Sequence, residues 1–198
     1  MSRGDREMNA NIKTALALTL FTLVAGVAPA ATIQGTAACD DDCDGVVVFL
    51  EGVPAAAAGD DATAELDQVD RTFVPKVLAI AAGTTVRIKN SDPFLHNVHI
   101  FRDKKTVFNF ALPFKGQTLD QTFTEPGVYQ VRCDAHPEMS ATIVVLDTPY
   151  FAVPEADGSF TIDAVPAGSY TLVTLDVERG KRVEKPLTVE DGAVAASF

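Results

Sequence analysis

A short loop between two strand-like segments is the feature of the sequence that most restricts the fold. The segments 128–133 (VYQVRC) and 142–147 (TIVVLD) are rich in β-branched residues, as strands are, and the stretch CDAHPEM begins where the first one ends. Because strands fix the backbone at both ends of such a loop, the side chains of Cys133, His136 and Met139 can turn toward one point. A thiolate, an imidazole and a thioether together are soft ligands that favour copper over hard cations. The sequence therefore predicts a β-structure that carries a metal loop.

A second imidazole for this site lies upstream, in the stretch NSDPFLHNVHIF that begins at Asn90. Both His96 and His99 are candidates, but residues three positions apart face opposite sides of an extended strand. Val98 and Ile100 share the parity of His96, so His96 is favoured as the histidine that faces the core. Two His and one Cys in a plane with a weak axial Met are the ligand set of a blue-copper electron-transfer site. Zinc is the alternative metal, since it takes Cys and His, but it rarely uses Met.

Strand signals also dominate the rest of the chain. Short β-branched or aromatic segments recur about every ten residues, which is typical of an all-β sandwich, and no long amphipathic helical run is present. The other strand-like segments are 46–52 (VVVFLEG), 77–90 (VLAIAAGTTVRIKN), 97–101 (NVHIF) and, nearer the C-terminus, SFTID, SYTLVTLDVE and PLTVED. The small and acidic stretch 55–65 (AAAAGDDATAE) predicts a linker or an exposed loop.

These motifs resemble those of the cupredoxins, the small blue-copper proteins of the amicyanin and plastocyanin type. The resemblance rests on FLHNVHIF, on the spacing C-x2-H-x2-M, and on the framing stretches RTFVPKVLAIAAGTTVRIKNSD and EPGVYQVRC. It implies a Greek-key β-sandwich over 61–147 that holds one copper ion per chain and cycles it between Cu(I) and Cu(II). The ligands that it implies are His96, Cys133, His136 and Met139.

The resemblance also implies roles for residues around the metal. Asn97 would tie the two ligand loops together, with its backbone N–H donating to the thiolate and tuning the potential. His136 would lie near the surface as the port for electrons, surrounded by an apolar docking patch. The residues of this patch are Pro93, Phe94, Leu95, Ala135 and Pro137. The alternative is that these residues only cap the core.

Charge and histidine content exclude several functional classes. The chain has 16 basic and 27 acidic residues and a net charge of −11, which disfavours nucleic acid and anionic membrane surfaces. The same charge would steer a transient redox partner with a basic docking face. Three histidines are too few for an enzyme with several coppers, since only His99 would be spare. We expect an electron carrier; a copper-handling protein (chaperone, storage or sensing) and a structural or adhesion module are the alternatives.

The first thirty residues predict an export signal. An uncharged apolar run at 14–28 follows Lys13 and precedes the small-residue pattern Ala28-Pro29-Ala30. The run is shorter than the roughly twenty residues that a spanning helix needs. We expect cleavage after Ala30 and a periplasmic or extracellular chain that is not inserted in a membrane. An uncleaved anchor, and a start at Met8, are the alternatives.

The segment CDDDCDG has two interpretations. In an oxidising compartment Cys39 and Cys43 would form a disulfide, since Cys133 is reserved for the metal. The segment and Glu51 also match the calcium-loop pattern D-x-D-x-D-G-x5-E, but strand-like residues follow Gly45 where an EF-hand needs a helix. A solvated acidic hairpin is favoured, and calcium binding stays open.

The C-terminal segment predicts a second sandwich. Its patterns ADG-x-F-x-I and VPAG-x-Y-x-L resemble the carboxypeptidase regulatory-like domain, a small transthyretin-like β-sandwich. The hairpin that precedes them in that family is similar to 33–35 and 46–52. Because neither piece has enough strands for a stable core, we expect 31–60 and 148–198 to form one domain, with the cupredoxin domain 61–147 inserted. The alternative is a single extended cupredoxin with extra edge strands.

Overall fold

Strands make up the regular structure of the chain. The computed structural model describes residues 30–39, 42–53, 62–190 and 192–197, and within these ranges there is no helix. The strands are β1 (Ala30–Thr36), β2 (Val46–Glu51), β3 (Thr63–Val69), β4 (Thr72–Val74), β5 (Val77–Ala81), β6 (Thr85–Asn90), β7 (His96–Arg102), β8 (Lys105–Leu112), β9 (Thr118–Thr122), β10 (Gly127–Arg132), β11 (Ser140–Leu146), β12 (Phe151–Ala152), β13 (Ser159–Pro166), β14 (Gly168–Asp176), β15 (Lys181–Val189) and β16 (Ala193–Ser197). The predicted all-β class is confirmed.

The predicted export signal at 1–30 lies outside the described residues, apart from Ala30 at the start of β1. Among the residues that are described, no helix has the length and apolarity to cross a membrane.

The strands form four sheets. Two of them, with the orders β4-β3-β6-β9 and β5-β11-β10-β7-β8, use residues 63–146. The other two, β13-β1-β16 and β12-β2-β14-β15, combine residues 30–51 with residues 151–197. Over the described part of the chain, no strand of one pair of sheets is hydrogen-bonded to a strand of the other pair. The two ends of the chain therefore share sheets that the middle does not join.

Each pair of sheets encloses its own apolar core. On β6, Val86 and Ile88 are buried while Arg87 between them is exposed, which is the alternation of a strand with one face on a core. The core of the middle segment also contains Cys133 and Met139. The second core contains Ile33 and other residues from both ends of the chain. The predicted metal loop thus forms one end of the core of the middle segment.

A third apolar cluster joins the two pairs of sheets. We call it the junction cluster; its buried residues are Val47, Phe49, Val77, Val144, Leu146 and Val173. Strand β2 sends alternate side chains into the junction cluster and into the second core. Strand β11 divides its side chains in the same way between the junction cluster and the first core. Because both strands are buried on two faces, their sequences are continuous apolar runs.

Several segments differ from the sequence-based expectation. The segment 77–90 is two strands in different sheets, because the chain turns at Gly83, whose φ of 96° is one that other residues rarely adopt. The linker expected at 55–65 is shorter at its C-terminal end, since β3 begins at Thr63 and pairs in parallel with β6. Strands β3, β4, β8, β9, β12 and β16 had no separate prediction.

The disulfide Cys39–Cys43 is present in the structure. One aspartate of the calcium pattern, at position 40, lies outside the described residues. Residues after Gly45 form the strand β2, and the Glu51 carboxylate lies 2.7 Å from the Arg182 guanidinium. These features fit the acidic hairpin, since Glu51 is engaged by a cation of this chain.

Candidate metal centre

Adjacent strands bring the two predicted ligand segments together. Strand β7 begins at His96 and lies antiparallel to β10, with Arg132 opposite His99. Cys133 follows the last residue of β10, so by this register it lies opposite Val98, near the start of β7. The loop after it is closed by hydrogen bonds from Met139 N–H to His136 O (2.9 Å) and from Cys133 N–H to Met139 O (3.3 Å). Strand pairing and a tight loop thus set where these side chains lie.

Three side-chain atoms converge at this point. The Nδ1 atoms of His96 and His136 are 3.0 Å apart, and each lies 3.7 Å from the Sγ of Cys133. A point equidistant from the three atoms is about 2 Å from each, which is close to the length of metal–nitrogen and metal–sulfur bonds. His96 and Cys133 are 0% and 2% exposed, and His136 is half-buried. Two imidazole nitrogens and a thiol sulfur fit a soft transition metal. Among the described residues, these three side chains form a group that could hold a metal ion.

Met139 is buried in the core of the same segment. It is 1% exposed and belongs to the same buried cluster as Cys133. His96 is buried together with Val98 and Ile100, which share its parity on β7. His99 instead points to Asp134, with its Nδ1 3.0 Å from Oδ1, and to Thr106, with its Nε2 2.9 Å from Oγ1.

A buried carboxylate that the sequence analysis missed holds the outer edge of His96. The Oδ2 atom of Asp92 lies 2.8 Å from His96 Nε2, and Asp92 is 4% exposed. Backbone N–H groups of Asp70 and Arg71 donate to Oδ1 and Oδ2 at 2.9 and 3.0 Å. Burial alone would raise the pKa of the Asp92 carboxyl, but the hydrogen bonds from Arg71, His96 and Asp70 outweigh it and lower that pKa. The sequence alone did not identify Asp92 as a functional residue, because aspartate before proline is common in turns.

Asn97 joins the two ligand segments through its side chain. Its Oδ1 accepts from the Asp134 N–H at 2.7 Å, and its Nδ2 donates to Asn109 Oδ1 and Asp134 Oδ2, both at 2.9 Å. Its Oδ1 also lies 3.4 Å from the Cys133 Sγ. The expected bond from the Asn97 backbone N–H to sulfur does not occur among the hydrogen bonds of the described residues. Asn97 is 7% exposed, so it is buried although it shares the parity of the half-buried His99 on β7.

The residues of the predicted docking patch differ in exposure. Pro93, Leu95, Ala135 and Pro137 are exposed, and Phe94 is half-buried. The Phe94 ring lies against both imidazoles, with centroids 5.1 Å from His96 and 5.6 Å from His136.

Phe114 was absent from the predicted patch and is 73% exposed. Its loop is attached to the His96 segment through hydrogen bonds of Asn90, which receives the Gly116 N–H at its backbone oxygen and donates its Nδ2 to the backbone oxygen of Phe94.

Comparison with known proteins decides the family. Residues 61–146 match the family model described as copper binding proteins, plastocyanin/azurin family. Plastocyanin of Ulva pertusa is 30% identical over 78 residues, which cover 35% of this chain and 80% of that protein. The chain belongs to this copper-binding family. Its metal is therefore copper, as the donor set predicts.

Solved structures of cupredoxins are also similar to this chain. A purple cupredoxin from Nitrosopumilus maritimus is 27% identical with a TM-score of 0.37, and the match covers 43% of this chain and all of that one. A reduced mutant of amicyanin is 26% identical with a TM-score of 0.40, covering 50% of this chain and 98% of that one. In this cupredoxin the strands β3 to β11 lie within the segment that matches the family model.

Proposed function

We propose that this cupredoxin is a mononuclear type 1 copper protein that carries single electrons between redox partners. The observation that supports this most directly is the convergence of two imidazole Nδ1 atoms and one thiol sulfur beside a buried methionine. His96, Cys133 and His136 would hold the copper, and Met139 would complete the ligand set with its soft thioether sulfur. Copper bound there supplies the one-electron couple Cu(I)/Cu(II).

The surrounding residues would keep the ligands in place while the charge of the site changes. Cys133 and Met139 are joined by a backbone hydrogen bond, and Asn97 holds the loop from the β7 side. Ligands that cannot move much between oxidation states need little reorganisation, which favours fast electron transfer. His136 is half-buried among exposed apolar residues, so it would be the port for electrons, and the surrounding patch would form a small transient interface.

The proposal is a carrier rather than an enzyme. His99 is bound to Asp134 and Thr106, so it is engaged away from the converging group. The partner would be a redox protein whose basic face complements the net charge of −11. Export to the periplasm or beyond, after cleavage at Ala30, is part of the same proposal, and the disulfide Cys39–Cys43 supports it because disulfides persist in oxidising compartments.

We also propose that the chain has two domains, with the cupredoxin inserted in a transthyretin-like sandwich. The supporting observation is that β1 pairs with β13 and β16, and β2 pairs with β12 and β14. The division places 31–60 with 148–198 and leaves 61–147 for copper. The junction cluster would then be the interface between the two domains.

Substitution of the sulfur ligand tests the carrier proposal. We expect Cys133→Ser to lose the intense thiolate-to-copper absorption and the reversible one-electron couple while the chain stays folded. His99→Ala is the matched control. It removes an imidazole from β7, the strand of His96, but not one of the three converging side chains. Blue copper retained in Cys133→Ser, or lost in His99→Ala, would contradict the ligand assignment.

A kinetic comparison separates carriage of electrons from handling of copper. We expect the Cu(I) form to be oxidised by an inorganic one-electron oxidant much faster than it loses copper to a Cu(I) chelator. Rapid loss of Cu(I) with slow electron exchange would favour a chaperone, storage or sensing role instead.

A further inference from the structure

The two imidazoles of the copper site have different surroundings on the side away from the metal. The Nε2 atom of His96 lies 2.8 Å from the buried Asp92 carboxylate. The Nε2 atom of His136 has no hydrogen-bond partner among the described residues, and its ring is half-buried beside Phe94. One imidazole is therefore attached to a fixed anion, whereas the other is open toward the surface.

The anion is held by backbone that is shaped for it. Asp70 and Arg71 form the turn between β3 and β4, and both have positive φ, of 51° and 56°. Non-glycine residues rarely adopt this conformation, which here points two consecutive N–H groups at one carboxylate. The Asp92 N–H donates in turn to Asn90 Oδ1 at 2.8 Å. Asp92 is thus fixed from three sides before it meets His96.

No cation of the described residues neutralises this carboxylate directly. The only ion-pair contact of Asp92 among them is with His96 itself. The Arg71 guanidinium, which is nearby in the sequence, lies over the Phe94 ring at 5.1 Å from its centroid. The negative charge is therefore directed at the imidazole through one short hydrogen bond.

We propose that Asp92 is a positioning residue that sets the copper potential through His96. A carboxylate that accepts from Nε2–H fixes the tautomer with its lone pair on Nδ1 and makes the imidazole a stronger donor to a metal. Greater donation and a nearby negative charge stabilise Cu(II) more than Cu(I), so Asp92 lowers the reduction potential. This inference rests on the proposed function, in which His96 is a ligand.

The test compares Asp92→Asn with Asp120→Asn. Asp120 is an exposed aspartate of the same domain, paired with Arg87, so its substitution removes one negative charge without touching the site. For Asp92→Asn we expect the ratio of Cu(II) to Cu(I) affinity to fall by about tenfold, which raises a one-electron potential by about 59 mV. The Asp120 variant should keep the potential of the unmodified chain. A potential equal in both variants, with the blue absorption intact, would overturn the inference and leave the carrier proposal standing.

In Asp92→Asn the asparagine NH2 group faces one of the three N–H donors that bond the carboxylate, which would perturb the loop. A second measurement therefore uses the unmodified chain. In the diamagnetic Cu(I) form, two-bond 1H–15N spectra report which ring nitrogen carries the proton. We expect a slowly exchanging, downfield Nε2–H for His96 and a fast-exchanging one for His136. A His96 proton that exchanges as fast as that of His136 would overturn the inference, whatever the colour of the Cu(II) form.

Discussion

At the scale of single residues, buried polar side chains carry much of the organisation of this protein. Asn90 donates its Nδ2 to the backbone oxygens of Phe94 and Leu112 and receives the Asp92 N–H, so it fixes the segment before His96. Asp176 does the same for the turn after β14, where its carboxylate accepts from the N–H groups of Glu178 and Arg179 and from the Arg179 guanidinium. Such groups are costly to bury unless they are bonded, and these are bonded.

Asp176 gives a prediction about acid stability. Burial raises the pKa of this carboxyl, but hydrogen bonds from Arg179 and Glu178 outweigh it and lower that pKa in the folded chain. The folded state therefore binds fewer protons than the unfolded state, so the contribution of Asp176 is present above the unfolded pKa of about 3.9 and is lost as pH falls through the lower, folded value. We expect Asp176→Asn to lower the free energy of unfolding by roughly 1–3 kcal/mol at pH 7.

Chemical denaturation as a function of pH measures this effect. The difference between Asp176→Asn and the unmodified chain should shrink below about pH 4. Glu155→Gln, at an exposed glutamate of the same sandwich, is the control for a general change of charge. A difference that stays constant from pH 7 to pH 3 would contradict the assignment of the effect to the Asp176 carboxylate.

At the scale of elements, close approach between strands explains a glycine in β1. Strand β1 lies between β13 and β16, and a Cβ placed on Gly35 would lie 1.8 Å from the backbone oxygen of Ala196 and 2.7 Å from the Phe160 ring. Backbone cannot give way as a flexible side chain can. We expect Gly35→Ala to destabilise this sheet by roughly 1–3 kcal/mol, as overpacked cores do.

The control for this prediction is Gln34→Ala, on the exposed face of the same strand. Denaturant midpoints and the copper spectrum of both variants should be measured together. The blue absorption should be unchanged in each, because the copper site lies in the other pair of sheets. A Gly35→Ala chain as stable as the Gln34→Ala chain would show that β16 does not pack as described.

The strands also show what sequence patterns can predict. Strands β2 and β11 were recognisable because they are continuous β-branched runs, and the alternation around His96 placed it on the buried face. Strand β8 had no clear pattern because it is an edge strand with most of its side chains exposed. Asp92 was missed because its partners, Asp70 and Arg71, lie about twenty residues upstream and meet it only in the folded chain. Local pattern thus predicted the converging group, whereas the contacts that orient it depend on tertiary structure.

At the scale of the whole molecule, the junction cluster links the copper-binding half to the other sandwich. Phe49 of β2 packs there with Val144 of β11 and Val173 of β14. Strands β2 and β11 each contribute to two apolar clusters. A truncated side chain in the junction cluster should therefore lower the stability of both halves, and most strongly that of the half to which the side chain belongs.

We expect Phe49→Ala to lower the free energy of unfolding by about 3–5 kcal/mol and to separate unfolding into two transitions. The lower transition would leave the copper absorption intact, and the upper one would abolish it. Phe114→Ala, at an exposed phenylalanine, is the control and should change stability by no more than about 0.5 kcal/mol. One unshifted transition in Phe49→Ala would contradict the coupling role of the junction cluster.

The measurement that tests the central claim most directly is the visible absorption and EPR spectrum of the chain with one equivalent of Cu(II). A type 1 site formed by His96, Cys133, His136 and Met139 predicts an intense thiolate-to-copper band and a narrow parallel hyperfine splitting. A pale spectrum of ordinary tetragonal copper, or no bound copper, would contradict it. In that case the relation to plastocyanin would describe the fold of this chain and not the chemistry of its metal.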